Sequence, residues 1–178
     1  YATSVCVNGD KGYVIDINDK STKPYGFINH NTPELNRKDD SIIYEMHIRD
    51  FTIDESSGVN DSLKGTYLGA VQENTIYKDI YTSKTVKTGL DHLVELGITH
   101  VHLMPVFDFG SVDERFPSSN NRNWGYDPKN FNVPEGSYST NPYNPITRII
   151  ELREMIMKFH EKGIRVVMDM VYNHMMGT

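Results

Sequence analysis

From residue 41 onward, short apolar runs alternate with stripes of apolar residues at helical spacing. Residues 41–48 predict a strand, and residues 85–96 predict a helix with Leu90, Leu93 and Leu96 on one face and Gly97 as its stop. A second strand is predicted at 98–104, ending before Pro105. A second helix is predicted at about 146–161, where Ile149, Leu152, Ile156 and Phe159 line one face and Gly163 follows. The apolar run 164–172 predicts a third strand. Each helix passes through a Gly-Ile step into a strand, and this β-α-β-α-β order predicts parallel strands joined by right-handed crossovers. Closed barrels and open sheets both satisfy it, but a closed eight-fold barrel takes about 250 residues. Three strands make only part of one.

Ahead of this frame the rhythm is different. Around Cys6 and around Val14 lie two short β-rich runs, separated by residues 8–12, where Asn8-Gly9 favours a tight turn, so a hairpin is predicted within residues 1–17. Two strands are marginal alone in water, which suits the tail of a larger β module. Cys6 is expected to be a buried thiol on the first of these strands. Residues 18–40 turn polar, with Pro24, Gly26 and Pro33 among them, as a linker crossing a surface does. A domain boundary is expected there.

In a parallel α/β frame the functional edge is where strands end and βα connections begin. Three groups fall on that rim: Arg49-Asp50-Phe51, then Asp108 with the loop from Asn123 to Pro128, and Asn173-His174. Asp169 interrupts an apolar run, where an unpaired charge is costly, and alternation places it with Val167 and Val171 on one face. An ion pair with an arginine such as Arg49 and a part in catalysis fit it equally well. His174 fits a hydrogen-bonded structural histidine or a ligand contact. The connection from Gly110 to Pro145 is too long for a routine βα loop. Its Trp124, Tyr126, Phe131, Tyr138 and Tyr143 supply flat faces beside polar groups, suited either to a sugar ring or to holding the loop down. His47, His100 and His102 have no Cys or Glu at ligand spacing, so packing or hydrogen bonding is expected rather than metal binding.

Composition narrows the classes. A net charge of −6, with 18 Lys and Arg scattered along 178 residues, argues against a nucleic-acid partner and favours a neutral ligand. No apolar run is long enough to span a membrane, so no membrane partner is expected. The start at Tyr1 lacks the basic and apolar regions of a signal peptide, and an internal cut accounts equally well for a start without Met. No phosphate loop, serine elbow or cysteine nucleophile is present.

Four strings occur in order: Tyr44-Glu45-Met46-His47-Ile48-Arg49-Asp50-Phe51, Leu103-Met104-Pro105-Val106-Phe107-Asp108, Asn123-Trp124-Gly125-Tyr126-Asp127-Pro128, and Asp169-Met170-Val171-Tyr172-Asn173-His174. Together they resemble the type I pullulanases of glycoside hydrolase family 13, over nearly the whole chain. The last string marks the wider α-amylase superfamily, and the third narrows it to the debranching group. Met170 stands where Val is commoner, an apolar swap of similar character.

The resemblance implies an α/β fold: part of a (β/α)8 TIM barrel at 41–178, comprising the first three strands and two helices. Residues 1–17 would be the end of a β-sandwich carbohydrate-binding-type module and 18–40 the linker. It implies an α-glucan partner and cleavage of α-1,6 linkages in pullulan, amylopectin or glycogen-type glucans by a retaining mechanism. In the family the nucleophilic Asp, the acid/base Glu and a third Asp follow strands four, five and seven. No catalytic residue is therefore expected in this chain, its partner would be the missing C-terminal part of its own barrel, and alone it is expected to be inactive. Tyr126 would stack under the sugar, His174 would hydrogen-bond it and Asp169 would order the charged network, with Asp127 and Trp124 as further substrate-binding candidates. No cofactor is implied, and a structural Ca2+ stays open. The alternatives are another enzyme of the superfamily, such as an isoamylase, branching enzyme or α-1,4 amylase, or a non-catalytic α-glucan-binding protein.

Overall fold

The computed structural model describes residues 4–116 and 122–177. The expectations about the first three residues, and the part of the long connection at 117–121, lie outside the described residues.

The chain opens with strands β1 (Ser4–Val5) and β2 (Gly12–Tyr13), paired antiparallel with Ser4 opposite Tyr13 and Val5 opposite Gly12. The hairpin is shorter than the sequence suggests. Its connection winds into a 3-10 turn at Val7–Gly9, with Asn8 and Gly9 both at positive φ, which lifts Cys6 off the strand. Cys6 is accordingly half-buried rather than buried, and its Sγ accepts from the Lys11 N–H at 3.2 Å. The polar segment that follows lies on a helix from the far end of the chain. Arg153 donates to the carbonyl of Thr22 at 2.7 Å and sits 5.2 Å from the Phe27 ring centroid.

Three strands form a parallel sheet: β3 (Ile43–Met46), β6 (His100–Leu103) and β9 (Arg165–Met168), with β6 in the middle. Ile43, His100 and Arg165 stand in one row, and Met46, Leu103 and Met168 in another. Between β3 and β6 run the short helix α1 (Ile48–Thr52), an antiparallel ribbon of β4 (Ile76–Lys78) and β5 (Thr85–Lys87), and helix α2 (Gly89–Leu96). Between β6 and β9 run the antiparallel pair β7 (Phe107–Phe109) and β8 (Pro128–Pro134) and helix α3 (Pro145–Glu161).

Several boundaries differ from expectation, each for a local reason. Residues 85–88 are not helical: Thr85 and Val86 pair with Lys78 and Tyr77, and Gly89 at φ +54° separates ribbon from helix. The first strand stops at Met46 because the His47 side chain caps α1, accepting from the Asp50 N–H. The long connection contains a seven-residue strand, β8, so it is not irregular throughout. The third strand ends at Met168 instead of running to Tyr172. Its neighbour β6 leads into Pro105, and the last ladder bond runs from the Asp169 N–H to the Leu103 carbonyl. Helix α3 matches its expected span, with Asn144 capping the Ile146 N–H and Pro145 in the first turn, where a missing N–H costs nothing.

The sheet has two unlike faces. Val101 and Leu103 of β6 are fully buried with Met46, Leu90, Leu93, Met155 and Phe159, so this face and the two longer helices share one core. The other face carries Ile43, Glu45, His100, His102, Arg165 and Val167. Ile43 and Val167 remain exposed there, and the His102 ring stands 3.9 Å from the Glu45 carboxylate. The C-terminal ends of all three strands point toward the segments 47–52, 105–110 and 169–174.

Candidate functional site

Those segments meet around the loop from Arg122 to Asp127. The loop is folded by its own asparagine: Asn123 Oδ1 accepts from the Gly125 N–H at 2.8 Å, and its Nδ2 donates to Asp127 Oδ1 at 2.7 Å. Gly125 sits at φ +89° against β7, and a Cβ there would lie 2.8 Å from the Pro105 carbonyl oxygen. No other residue fits that position unstrained. The loop is then pinned to the first strand. His47 is buried, and burial, more than its neighbours, lowers its pKa, so the ring is neutral. Its Nδ1 accepts from the Asp50 N–H, which leaves the Nε2 proton for the Asn123 carbonyl at 2.7 Å, with the Tyr138 hydroxyl 3.0 Å from the same nitrogen. His47 is thus a hydrogen-bonding pin, and among the described residues none of the histidines joins a metal-ligand group.

Tyr126 leaves this loop and is held at both ends by the tail of the third strand. Its hydroxyl donates to Asp169 Oδ2 at 2.7 Å, and its carbonyl lies 2.6 Å from His174 Nε2. The hydrogen bond to Asp169, with burial second, pushes the phenol up to about 12, so it stays protonated and donating at neutral pH. Asp169, half-buried one residue beyond β9, therefore finds Tyr126 as a partner. The Met176 N–H donates to the Pro128 carbonyl at 2.8 Å, lacing tail to loop a third time. The predicted trio of Tyr126, Asp169 and His174 is brought together.

Trp124 and Asp127 share a wall with Tyr126. With Ser111, Arg122 and Asn123 these residues line an open cleft of about 490 Å³. Trp124 is 55% exposed and Tyr126 39% exposed, so both rings face solvent. Asp127 Oδ2 is buried and has no hydrogen-bond partner among the described residues. The other aromatics of the long connection divide. Tyr138 is buried against His47, Tyr67 and Phe109 and holds the loop down, whereas Phe131 tilts against Tyr172 and Tyr143 is exposed.

Beneath this rim lies a charged cluster that sequence reasoning missed apart from Asp108. Asp108, Glu114 and Glu135 approach one another closely, all buried, around the fully buried guanidinium of Arg148. Arg148 makes two 2.9 Å bonds to Glu114, stands 3.5 Å from Asp108, and donates to the Pro134 and Pro142 carbonyls at 3.2 Å. Glu135 accepts from the Phe109 and Ser137 N–H groups, and Asp108 accepts from Asn130. Three carboxylates against one guanidinium cannot all ionise cheaply, and burial pushes Asp108 up to about 7 and Glu135 up to about 8. The carboxyl groups have the chemistry of a Ca2+ site, but the cation among them is the chain's own arginine, and they do not fit a resident ion as well. One signal for it was available: Arg148 precedes Leu152, Met155 and Phe159 by four, seven and eleven positions, in phase with the buried stripe of α3.

Residues 74–178 match the family model for the alpha amylase catalytic domain. Over 98% of its length the chain is 43% identical to the pullulanase of Bacillus subtilis, of which it spans 22%. It is 35% identical over 81% of its length to isoamylase 3, chloroplastic, of Oryza sativa, spanning 16% of that protein. Among solved structures, a pullulanase from Paenibacillus barengoltzii complexed with maltotetraose is similar at a TM-score of 0.90 and 47% identity, over 98% of this chain and 26% of that one. The chain thus spans about a quarter or less of the length of each of these relatives.

Proposed function

This chain belongs to the alpha-amylase catalytic-domain family, and from that membership we propose that it forms the first part of a debranching hydrolase barrel and holds an α-glucan for cleavage at α-1,6 linkages. In this reading the parallel sheet supplies barrel strands one to three, and its uncovered face, with Ile43, Glu45, His102 and Val167, looks into the lumen. Residues 41–178 are the barrel portion, 18–40 the linker and 1–17 the end of a β module. The observation that carries the reading is the convergence of Tyr126, Asp169 and His174 from two separate βα edges, beside an open cleft walled by Trp124 and Asp127.

Each residue then has a physical task. The Tyr126 ring offers a flat apolar face to a glucose unit, while its hydroxyl is occupied by Asp169 and so keeps the ring fixed. His174, exposed and bonded to the Tyr126 carbonyl through Nε2, keeps Nδ1 for a sugar hydroxyl. Asp127 helps hold the wall of the cleft, its Oδ1 accepting from Asn123 Nδ2 at 2.7 Å. The two carboxyl groups here are tied to their own neighbours, Asp127 to Asn123 and Asp169 to Tyr126, and in this reading they position substrate while carboxyl groups on later strands of the barrel do the cutting. The test is titration of the chain with maltotriose and incubation with pullulan: binding weakened by Tyr126→Ala, with no sugar released, is expected. Maltotriose binding indifferent to Tyr126, or release of maltotriose that Tyr126→Ala abolishes, would overturn the assignment of roles.

A further inference from the structure

We propose that Arg122 is a positioning residue that fixes the indole of Trp124 as a second ring-binding surface beside Tyr126, so that the cleft takes two consecutive glucose units of an α-glucan. This rests on the reading of the cleft as a glucan site and adds its length and the residue that sets it.

Arg122 joins two βα connections. Its Nε donates to Asp50 Oδ2 at 2.7 Å and its Nη2 reaches the same oxygen at 2.6 Å, while Arg49 holds the other oxygen of Asp50 at 2.9 Å. Burial alone would raise the Asp50 pKa, but the bond from Arg122 and the other neighbouring cations outweigh it and keep the carboxylate ionised. Asp50 itself is fixed on α1, whose first turn His47 caps. The guanidinium therefore has little freedom, and its central carbon lies 5.4 Å from the Trp124 ring centroid. A cation at that distance is attracted to the ring face and biases the plane of the indole. One face of Trp124 is taken by Arg122, and the side chain still remains 55% exposed.

A single glucose unit needs only the Tyr126 face and the edge formed by Asp169 and His174. The Trp124 surface is surplus to it, two residues away across a glycine that tolerates no side chain, on the wall of the same cleft.

Trp124 is the single tryptophan of the sequence, so its emission reports on this loop alone. The experiment titrates wild type, Arg122→Gln and Arg122→Lys with glucose and with maltotriose, reading tryptophan emission, with circular dichroism as the check on folding. In Arg122→Gln the maltotriose affinity is expected to fall about two- to fivefold, the factor set by an exposed cation–π contact, with glucose affinity unchanged and partial recovery in Arg122→Lys. Asp50→Asn, which leaves Arg122 in place but removes its anchor, is expected to increase iodide quenching of Trp124. An unchanged ratio of maltotriose to glucose affinity in Arg122→Gln, or unchanged quenching in Asp50→Asn, overturns the role of Arg122 while leaving the glucan site standing. Absence of maltotriose binding in wild type fails the glucan reading itself.

Discussion

Replacing Arg148 with methionine removes the guanidinium from a buried nest of three carboxyl groups. Two charge-assisted bonds to Glu114 are lost, each contributing about 1.5–3 kcal/mol, and the Pro134 and Pro142 carbonyls lose a donor. Methionine fills much of the volume, and the carboxyl groups answer by taking up protons. The net cost expected for breaking such a pair is about 3–5 kcal/mol, a large share of a typical domain stability of about 5–15 kcal/mol. The loss must also depend on pH. Asp108 and Glu135 are raised in the folded chain to about 7 and about 8, above their values of about 4 when unfolded. The folded state therefore binds more protons than the unfolded state between about pH 4 and pH 8, and its stability falls as pH rises through that window. Removing the cation sharpens this fall, since nothing then offsets the second and third negative charges. Urea unfolding of wild type and Arg148→Met at pH 4.5 and pH 8 is the assay. A difference that grows toward pH 8 and reaches several kcal/mol is expected. A loss below about 1 kcal/mol at pH 8, or one equal at both pH values, would refute the idea that the arginine neutralises the nest.

Two further perturbations bear on the loop. Gly125→Ala forces a left-handed backbone on a residue with a Cβ, costing about 1–2 kcal/mol, and adds an overlap with the Pro105 carbonyl; a lowered thermal midpoint with shifted Trp124 emission is expected, and an unchanged midpoint would show that the loop has room. His47→Gln removes the ring that links the Asp50 N–H to the Asn123 carbonyl inside a buried site, so a destabilisation of about 1–3 kcal/mol is expected by chemical unfolding, whereas a neutral effect would mean that the loop is held elsewhere.

The frame of the fold follows from patterns that need no tertiary information. Asn144-Pro145 starts and Gly163 follows a helix whose apolar stripe is read directly, and strands 43–46, 100–103 and 165–168 all lie inside the predicted runs. The errors lie where tertiary pairing overrules local pattern. Thr85 to Lys87 sit upstream of a helical stripe and look continuous with it, but their β-branched residues find Ile76 to Lys78 across a turn. β8 is bracketed by Pro128 and Pro134 and carries Asn132 at φ +62°, so it lacks the alternation that marks a strand and exists because Phe107 to Phe109 pair with it.

The candidate site shows the same division. Tyr126, Asp169 and His174 stand out in the sequence because rim position and motif agree, and the structure places Asp169 and His174 both against Tyr126. Asp169 was expected to need a partner, with an ion pair and a part in catalysis fitting equally well, and the partner it takes is the Tyr126 phenol. Glu114, Glu135 and Arg148 were not recovered: charged residues in a loop and on a helix read as solvated, and only Asp108 among their company stands at a strand end. Their burial comes from folding the Gly110 to Pro145 connection back over α3, which no local window records.

Binding of maltotriose to the chain, measured by calorimetry with wild type and Tyr126→Ala in parallel, tests the central claim most directly. Loss of one stacking face is expected to weaken binding about tenfold, equivalent to about 1.4 kcal/mol, with the fold intact by circular dichroism because Tyr126 lies at the surface. Equal affinity in the two proteins, or no binding by wild type, would contradict the claim that Tyr126, Asp169 and His174 converge to hold a sugar.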